Sequence, residues 1–130
     1  MIRCVRLFTD ESGQSDFEEG YLKLSGEKGQ DASTLLATAK SVSFRETSSG
    51  GSFDWHNAPT VQYVVTLKGI LEFETHTGKR FVLHPGDVLL AEDIRGGGHR
   101  WHLTNNEPWL RAYIALGEEA EASFVPNQTN

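Results

Sequence analysis

The stretch Val61-Gln62-Tyr63-Val64-Val65-Thr66-Leu67-Lys68-Gly69-Ile70-Leu71-Glu72-Phe73-Glu74 decides the fold class. Its first seven residues are rich in β-branched and aromatic types and apolar on both alternating faces. That is the pattern of a strand covered from both sides. Lys68-Gly69 then reads as a turn. Beyond it Leu71 and Phe73 share one face while Glu72 and Glu74 point to water.

Period two continues outward in both directions. Thr77-Gly78-Lys79 turns into Arg80-Phe81-Val82-Leu83. Pro85-Gly86-Asp87 is a tight turn, because proline pre-sets φ and glycine takes a positive φ without steric cost. Val88 to Ala91 reads as a buried strand, Trp101 and Leu103 share a face, and Leu110 to Leu116 closes the set. Upstream, Val42 and Phe44 alternate with serines, and Ile2, Cys4, Arg6 and Phe8 alternate with Arg3, Val5, Leu7 and Thr9. Short strands separated by glycine-rich turns predict an all-β sandwich or barrel. Helical signals are weak: Asp31 to Ala37 offers about two turns, and Gly117 to Ala122 one short turn. Residues 10–20 and 25–33 read as loops, and Pro126 to Asn130 as a frayed end.

A chain of 130 residues makes one domain. We therefore expect a single domain over 1–130, with a core motif region of about 40–116 and a C-terminal tail over 117–130. With 38% hydrophobic and 23% charged residues the composition is that of a soluble globular protein. The net charge of −6, without a basic cluster, argues against nucleic acid and anionic membranes as partners. The single cysteine, Cys4, excludes an intramolecular disulfide and suggests a reducing, cytoplasmic location. Met1 to Arg6 lacks the apolar run of a signal peptide, and no segment approaches membrane-spanning length. There is no P-loop, dinucleotide fingerprint, nucleophile elbow or Cys-x-x-Cys pair.

The chemistry-bearing residues are spread over the strands. Asp54-Trp55-His56 precedes Gln62, and His99 follows Gly96-Gly97-Gly98. Residues so scattered converge only inside a closed sheet. Alternation places His99, Trp101 and Leu103 on one inward face, and Gln62 beside Val64 and Thr66. Asp54 shares the parity of His56 and could orient it. Glu92 and Asp93 end a buried strand at the loop before His99, where one of them can reach the same site. Trp55, Val64 and Trp101 are candidate pocket walls. His76 belongs at an exposed hairpin tip, His84 at a turn, and His102 on the opposite face from His99.

These residues resemble the cupin superfamily of small β-barrels. Its first motif runs histidine, any residue, histidine, three or four residues, glutamate, six residues, glycine. His56 and Gly69 match its ends, Gln62 stands in the glutamate place and Ala58 in that of the second histidine. The second motif is a Pro-Gly-Asp turn, a strand, a loop, a histidine and an asparagine. Pro85-Gly86-Asp87 and His99 match it, with Glu92 in place of the usual proline, a longer loop from Glu92 to Gly98, and Leu103 at the asparagine position. The resemblance implies a single-domain cupin jelly roll, a pocket inside it and a homodimer. It also implies a divalent transition metal (zinc, iron, manganese or nickel) on His56, Gln62 and His99.

Imidazole and carboxylate hold such metals well. Exchanging carboxylate for amide and imidazole for methyl thins the ligand set. Two readings follow. One is a metal-dependent enzyme acting on a small organic acid, sugar or carbonyl compound, with Glu92 or Asp93 moving protons. The other is a metal-free pocket that binds a small molecule, where His56 and His99 act as acid, base or donor. Cys4 reads as an inert buried thiol.

Overall fold

The computed structural model describes residues 1–26 and 29–128. Eleven strands carry the fold: β1 Ile2–Thr9, β2 Ser15–Leu22, β3 Ala39–Thr47, β4 Ser52–His56, β5 Gln62–Lys68, β6 Leu71–Thr75, β7 Arg80–Leu83, β8 Val88–Ala91, β9 His99–Leu103, β10 Trp109–Leu116 and β11 Phe124–Pro126. A seven-stranded sheet, in the order β11-β2-β1-β8-β5-β10-β3, faces a four-stranded sheet in the order β4-β9-β6-β7. Every pairing is antiparallel except β1 with β8. The protein is an all-β, jelly-roll-like sandwich, and the described residues contain no helix.

The core lies between the sheets. Val5, Leu7, Val64, Leu89, Ala91 and Trp109 come from the larger sheet and meet Leu71, Phe73, Phe81, Leu83, Trp101 and Leu103 from the smaller. A second cluster, with Cys4, Leu22, Val88, Leu90 and Leu116 at its heart, covers the outer face of the larger sheet. That second layer explains why β5 and β8 are apolar on both faces. Burying each large side chain contributes about 1.5–3 kcal/mol. Aromatic stacking tightens the core, with Phe73 against Phe81 at 5.0 Å and Trp101 edge-on to Trp109 at 4.6 Å.

Several expectations change in three dimensions. Lys68-Gly69 does not close a hairpin within one sheet: β5 and β6 lie in different sheets, so the turn crosses the sandwich. Gly69 has φ +99°, and a Cβ there would stand 2.9 Å from the Pro108 carbonyl oxygen. The predicted loop over residues 10–20 overlaps β2 from Ser15 to Gly20. Its Ser-Asp-Phe-Glu-Glu-Gly-Tyr-Leu sequence has poor strand character, but Arg3 and Arg6 of β1 bind its Glu19 and Glu18. Asp31 to Ala37 forms no helix, and Gly117 to Ala122 is a turn closed by the Ala120 amide on the Gly117 carbonyl at 3.0 Å. The tail is tied down as far as Asn127, because β11 pairs with β2 and the Asn127 amide donates to the Glu19 carbonyl. Part of the predicted loop, residues 27 and 28, and the last two residues of the expected frayed end, 129 and 130, lie outside the described residues. β1 sits between β2 and β8 rather than at an edge, so it offers no free ladder for pairing between subunits. The edges of the larger sheet are β11 and β3.

Candidate functional site

A cavity of about 310 Å³ opens between the sheets, walled by Phe73, Leu89, Trp101 and Trp109 among others. At one end it holds His56, Gln62 and His99, and at the other Arg45, Arg111 and Tyr113.

His99 is the first residue of β9, and its inward side chain is 4% exposed. Its Nδ1 lies 2.6 Å from Oδ2 of Asp93. The same oxygen accepts a hydrogen bond from the Ser15 hydroxyl at 2.7 Å, and the other oxygen, Oδ1, has no partner among the described residues. A carboxylate only accepts, so Nδ1 carries the proton and Nε2 is the ring's free nitrogen. Asp93 is fully buried, and its carbonyl receives the Ala58 amide, which ties the loop after β4 to the cavity wall.

His56 reaches the cavity through an irregularity in β4. Phe53 pairs with Trp101, but the next pair is His56 with His99. Three steps along β4 therefore match two along β9, which is a β-bulge. The bulge brings both Phe53 and His56 to the inner face, where their rings stack at 4.1 Å. The rings of His56 and His99 come within 4.4 Å of each other. His56 Nδ1 donates to the Asp54 carbonyl at 2.7 Å, which again leaves Nε2 free. Burial pushes the His56 imidazole below the ordinary histidine value, and the neighbouring His99 pushes the same way.

The glycine run before β9 serves this convergence. Gly98 has φ +80°, and a Cβ there would collide with the His56 carbonyl oxygen. Gly96, with φ +87°, packs equally close on the Gly13 carbonyl. The close approach that these glycines allow is to neighbouring backbone.

Not every candidate from the sequence lies at the site. Val64, Trp101 and buried Gln62 line the cavity. Asp54 contributes its carbonyl, while its side chain opens onto a separate surface cleft with Glu72, Glu74 and Arg100. Trp55 also turns outward, stacked on His76 at 3.6 Å with the Arg100 guanidinium over its ring. The bulge is the physical cause of both departures. Glu92 does not reach the cavity: it pairs with Arg6 on the far side of β8. Of the two adjacent acids only Asp93 meets a site imidazole.

The other end is built from residues outside the candidate set read from the sequence. Arg111 is 5% exposed on β10. Its Nη1 donates to the Thr47 hydroxyl at 2.7 Å and the Trp109 carbonyl at 3.2 Å, and its Nε to the Tyr113 hydroxyl at 3.2 Å. The guanidinium lies 3.9 Å above the Trp109 ring. Arg45 is directly opposite on β3, with its guanidinium 4.6 Å from the Tyr113 ring. A signal existed in the sequence: Arg111 has the parity of Trp109 and Tyr113 in an otherwise apolar strand. Ser15 carried none, since a hydroxyl that serves an acid seventy-eight residues away is invisible locally.

The donor set does not fit a firmly held divalent metal. The site end offers two imidazoles and an amide, all without negative charge, and Asp93 is spent on His99 and Ser15. No group of three His, Cys, Asp or Glu side chains among the described residues is placed to hold an ion. Two guanidinium groups share the cavity and oppose a dication.

An all-β sandwich with an acid–imidazole pair at one end of its cavity and buried guanidinium at the other is the class this geometry defines. No family model matches the chain. Oryzines biosynthesis cluster protein J of Aspergillus oryzae (strain ATCC 42149 / RIB 40) is 36% identical over 63 residues, 48% of this chain and 34% of that protein. The chain thus spans about a third of the length of that relative. No helix among the described residues is long and apolar enough to cross a membrane.

Proposed function

We propose that this is a cupin-type protein whose inter-sheet cavity binds a small organic molecule and moves a proton on it without a metal. The observation that carries the reading is the pair His99 and Asp93, 2.6 Å apart, with the second imidazole 4.4 Å from the first. Asp93 fixes the ring and tautomer of His99, so Nε2 can take a proton from the bound molecule. His56, whose imidazole burial pushes toward the neutral form, can shuttle that proton or hold an oxygen of the same molecule. The jelly-roll-like sheets, the Pro85-Gly86-Asp87 turn into β8 and the meeting of His56 with His99 support the cupin reading. The name of the Aspergillus relative, which refers to a biosynthesis cluster, agrees with small-molecule chemistry. A cytoplasmic location is part of the proposal, supported by the single cysteine, Cys4, which has no second cysteine in this sequence to pair with.

The test is deuterium uptake from heavy water into pyruvate, phenylpyruvate and acetylacetone, followed by proton NMR. The wild type accelerates exchange at the carbon next to the carbonyl, and His99→Ala loses about 10²–10⁴-fold of that rate. No acceleration with any of these compounds would reject proton transfer and leave a binding module.

We also infer that a second copy of the chain pairs at β3. This strand is a sheet edge with Val42 57% and Phe44 73% exposed. Open edges of this kind invite pairing. Antiparallel pairing about Ser43 sets Val42 opposite Phe44 and Lys40 opposite Glu46, a self-complementary register that suits a two-fold axis. Sedimentation equilibrium of the wild type beside Phe44→Lys checks it: a dimer turned monomer is expected, and a monomeric wild type at micromolar concentration rejects it.

A further inference from the structure

We propose that Arg111 and Arg45 form a carboxylate-binding subsite, so that the cavity takes an organic acid with an apolar body. The proposal deepens the acid–base reading above, and rests on it only for placing the reacting end of that molecule at His99 and His56.

The case begins with how this protein treats its other arginines. Arg95 is exposed and has no ion pair among the described residues, while Arg3, Arg6, Arg80 and Arg100 each sit against at least one carboxylate. All four are at least a third exposed. Arg111 is far more buried, yet its partners among the described residues are two hydroxyls and a carbonyl, all neutral. A buried charge without a counter-charge is costly. The strand ladder adds to that cost by pairing Arg111 with Arg45, because like charges directly opposite repel. Both arginines line the cavity, and an anion placed there offsets both penalties.

Geometry narrows the anion. Stacking on Trp109 fixes the guanidinium plane, and the hydrogen bonds within the protein use Nε and Nη1 only. Nη2 makes none among the described residues. A flat carboxylate suits a guanidinium whose plane and free edge are already set. A phosphate dianion would call for more buried donors than the cavity offers. Between the arginines and the imidazoles runs an aromatic wall, with Trp101 against Trp109, Trp109 against Phe73, and Phe73 5.8 Å from His99. Such a wall favours an aromatic or branched body by edge and face contacts. About 310 Å³ lies at the lower end of the usual range for ligand pockets.

The experiment is calorimetric titration of the full chain at matched ionic strength with phenylacetate, its neutral amide phenylacetamide, and inorganic phosphate. Phenylacetate is expected to bind roughly tenfold or more tightly than the amide, the scale of a charge-assisted hydrogen bond. Arg111→Met and Arg45→Gln should each lose a similar factor for phenylacetate, while Arg100→Gln, outside the cavity, keeps wild-type affinity. If Arg111→Met does not fold, Arg45→Gln decides alone, since Arg45 is an exposed residue on an edge strand. The proposal is overturned if the wild type does not bind phenylacetate at millimolar concentration, or binds acid and amide equally. It is also overturned if phosphate binds better, or if the folded arginine variants bind phenylacetate like the wild type. Failure of the acid–base reading looks different: phenylacetate affinity intact, and no deuterium exchange.

Discussion

The two ends of the cavity are built from opposite economies of charge. At the histidine end Asp93 is matched to an imidazole and a hydroxyl within 2.7 Å. At the arginine end a cation as deeply placed rests on neutral oxygens and an aromatic face. An end whose acid already holds an imidazole and a hydroxyl is organised before a ligand arrives and can act on one. An end left with uncompensated charge is complete only with something in it.

That contrast predicts unequal costs for removing a charge. Asp93→Ala takes away the acceptor for His99 and Ser15 in a fully buried site, and leaving two buried donors unsatisfied costs about 1–3 kcal/mol for each. Urea denaturation of the full chain measures it, and a loss below about 1 kcal/mol would mean the pair is not a built unit. Arg111→Met removes hydrogen bonds worth about 1 kcal/mol each, but it also removes the desolvation and repulsion of a lone buried cation. The net change without ligand is expected to stay within about 1.5 kcal/mol, in either direction. A cost equal to that of Asp93→Ala would make Arg111 a structural staple and erase the difference between the two ends.

Much of this arrangement was legible in the residues, and the limit is physical. β9 obeys strict alternation, so His99, Trp101 and Leu103 were placed inward by parity and are buried in the structure. β4 carries a bulge, which no periodicity reports, and one extra residue moved Phe53 to the cavity and turned Asp54 and Trp55 away. The doubly apolar face of β5 was readable because both of its sides are covered, one by the facing sheet and one by the second cluster. β2 was not readable, because its partners are arginines on another strand rather than any apolar pattern of its own. Asp93 and Glu92 are adjacent and chemically alike, and only the path of the chain after β8 decides which enters the site. Arg111 was visible as a charge among apolar neighbours, but local sequence does not say whether such a charge has a partner.

The smallest expected effect is a pH dependence at the histidine end. Burial lowers the His56 imidazole below its ordinary value of 6.5, and repulsion from His99 adds to this while the Asp54 carbonyl and Asp93 act against it. Between the lowered folded value and the unfolded value of 6.5 the unfolded chain binds more protons than the folded one. Stability therefore falls as pH drops below the unfolded value, and the slope vanishes once the pH is below the folded value. Above the unfolded value the group contributes no slope. Tm followed across this window should decline toward acid in the wild type and decline less in His56→Gln, which cannot titrate. Phenylacetate, if seated with its carboxylate at Arg111 and Arg45, leaves the imidazole desolvated and should preserve the decline. An unchanged slope in His56→Gln would show that another group controls it, and would remove the reason for treating His56 as the neutral partner of His99.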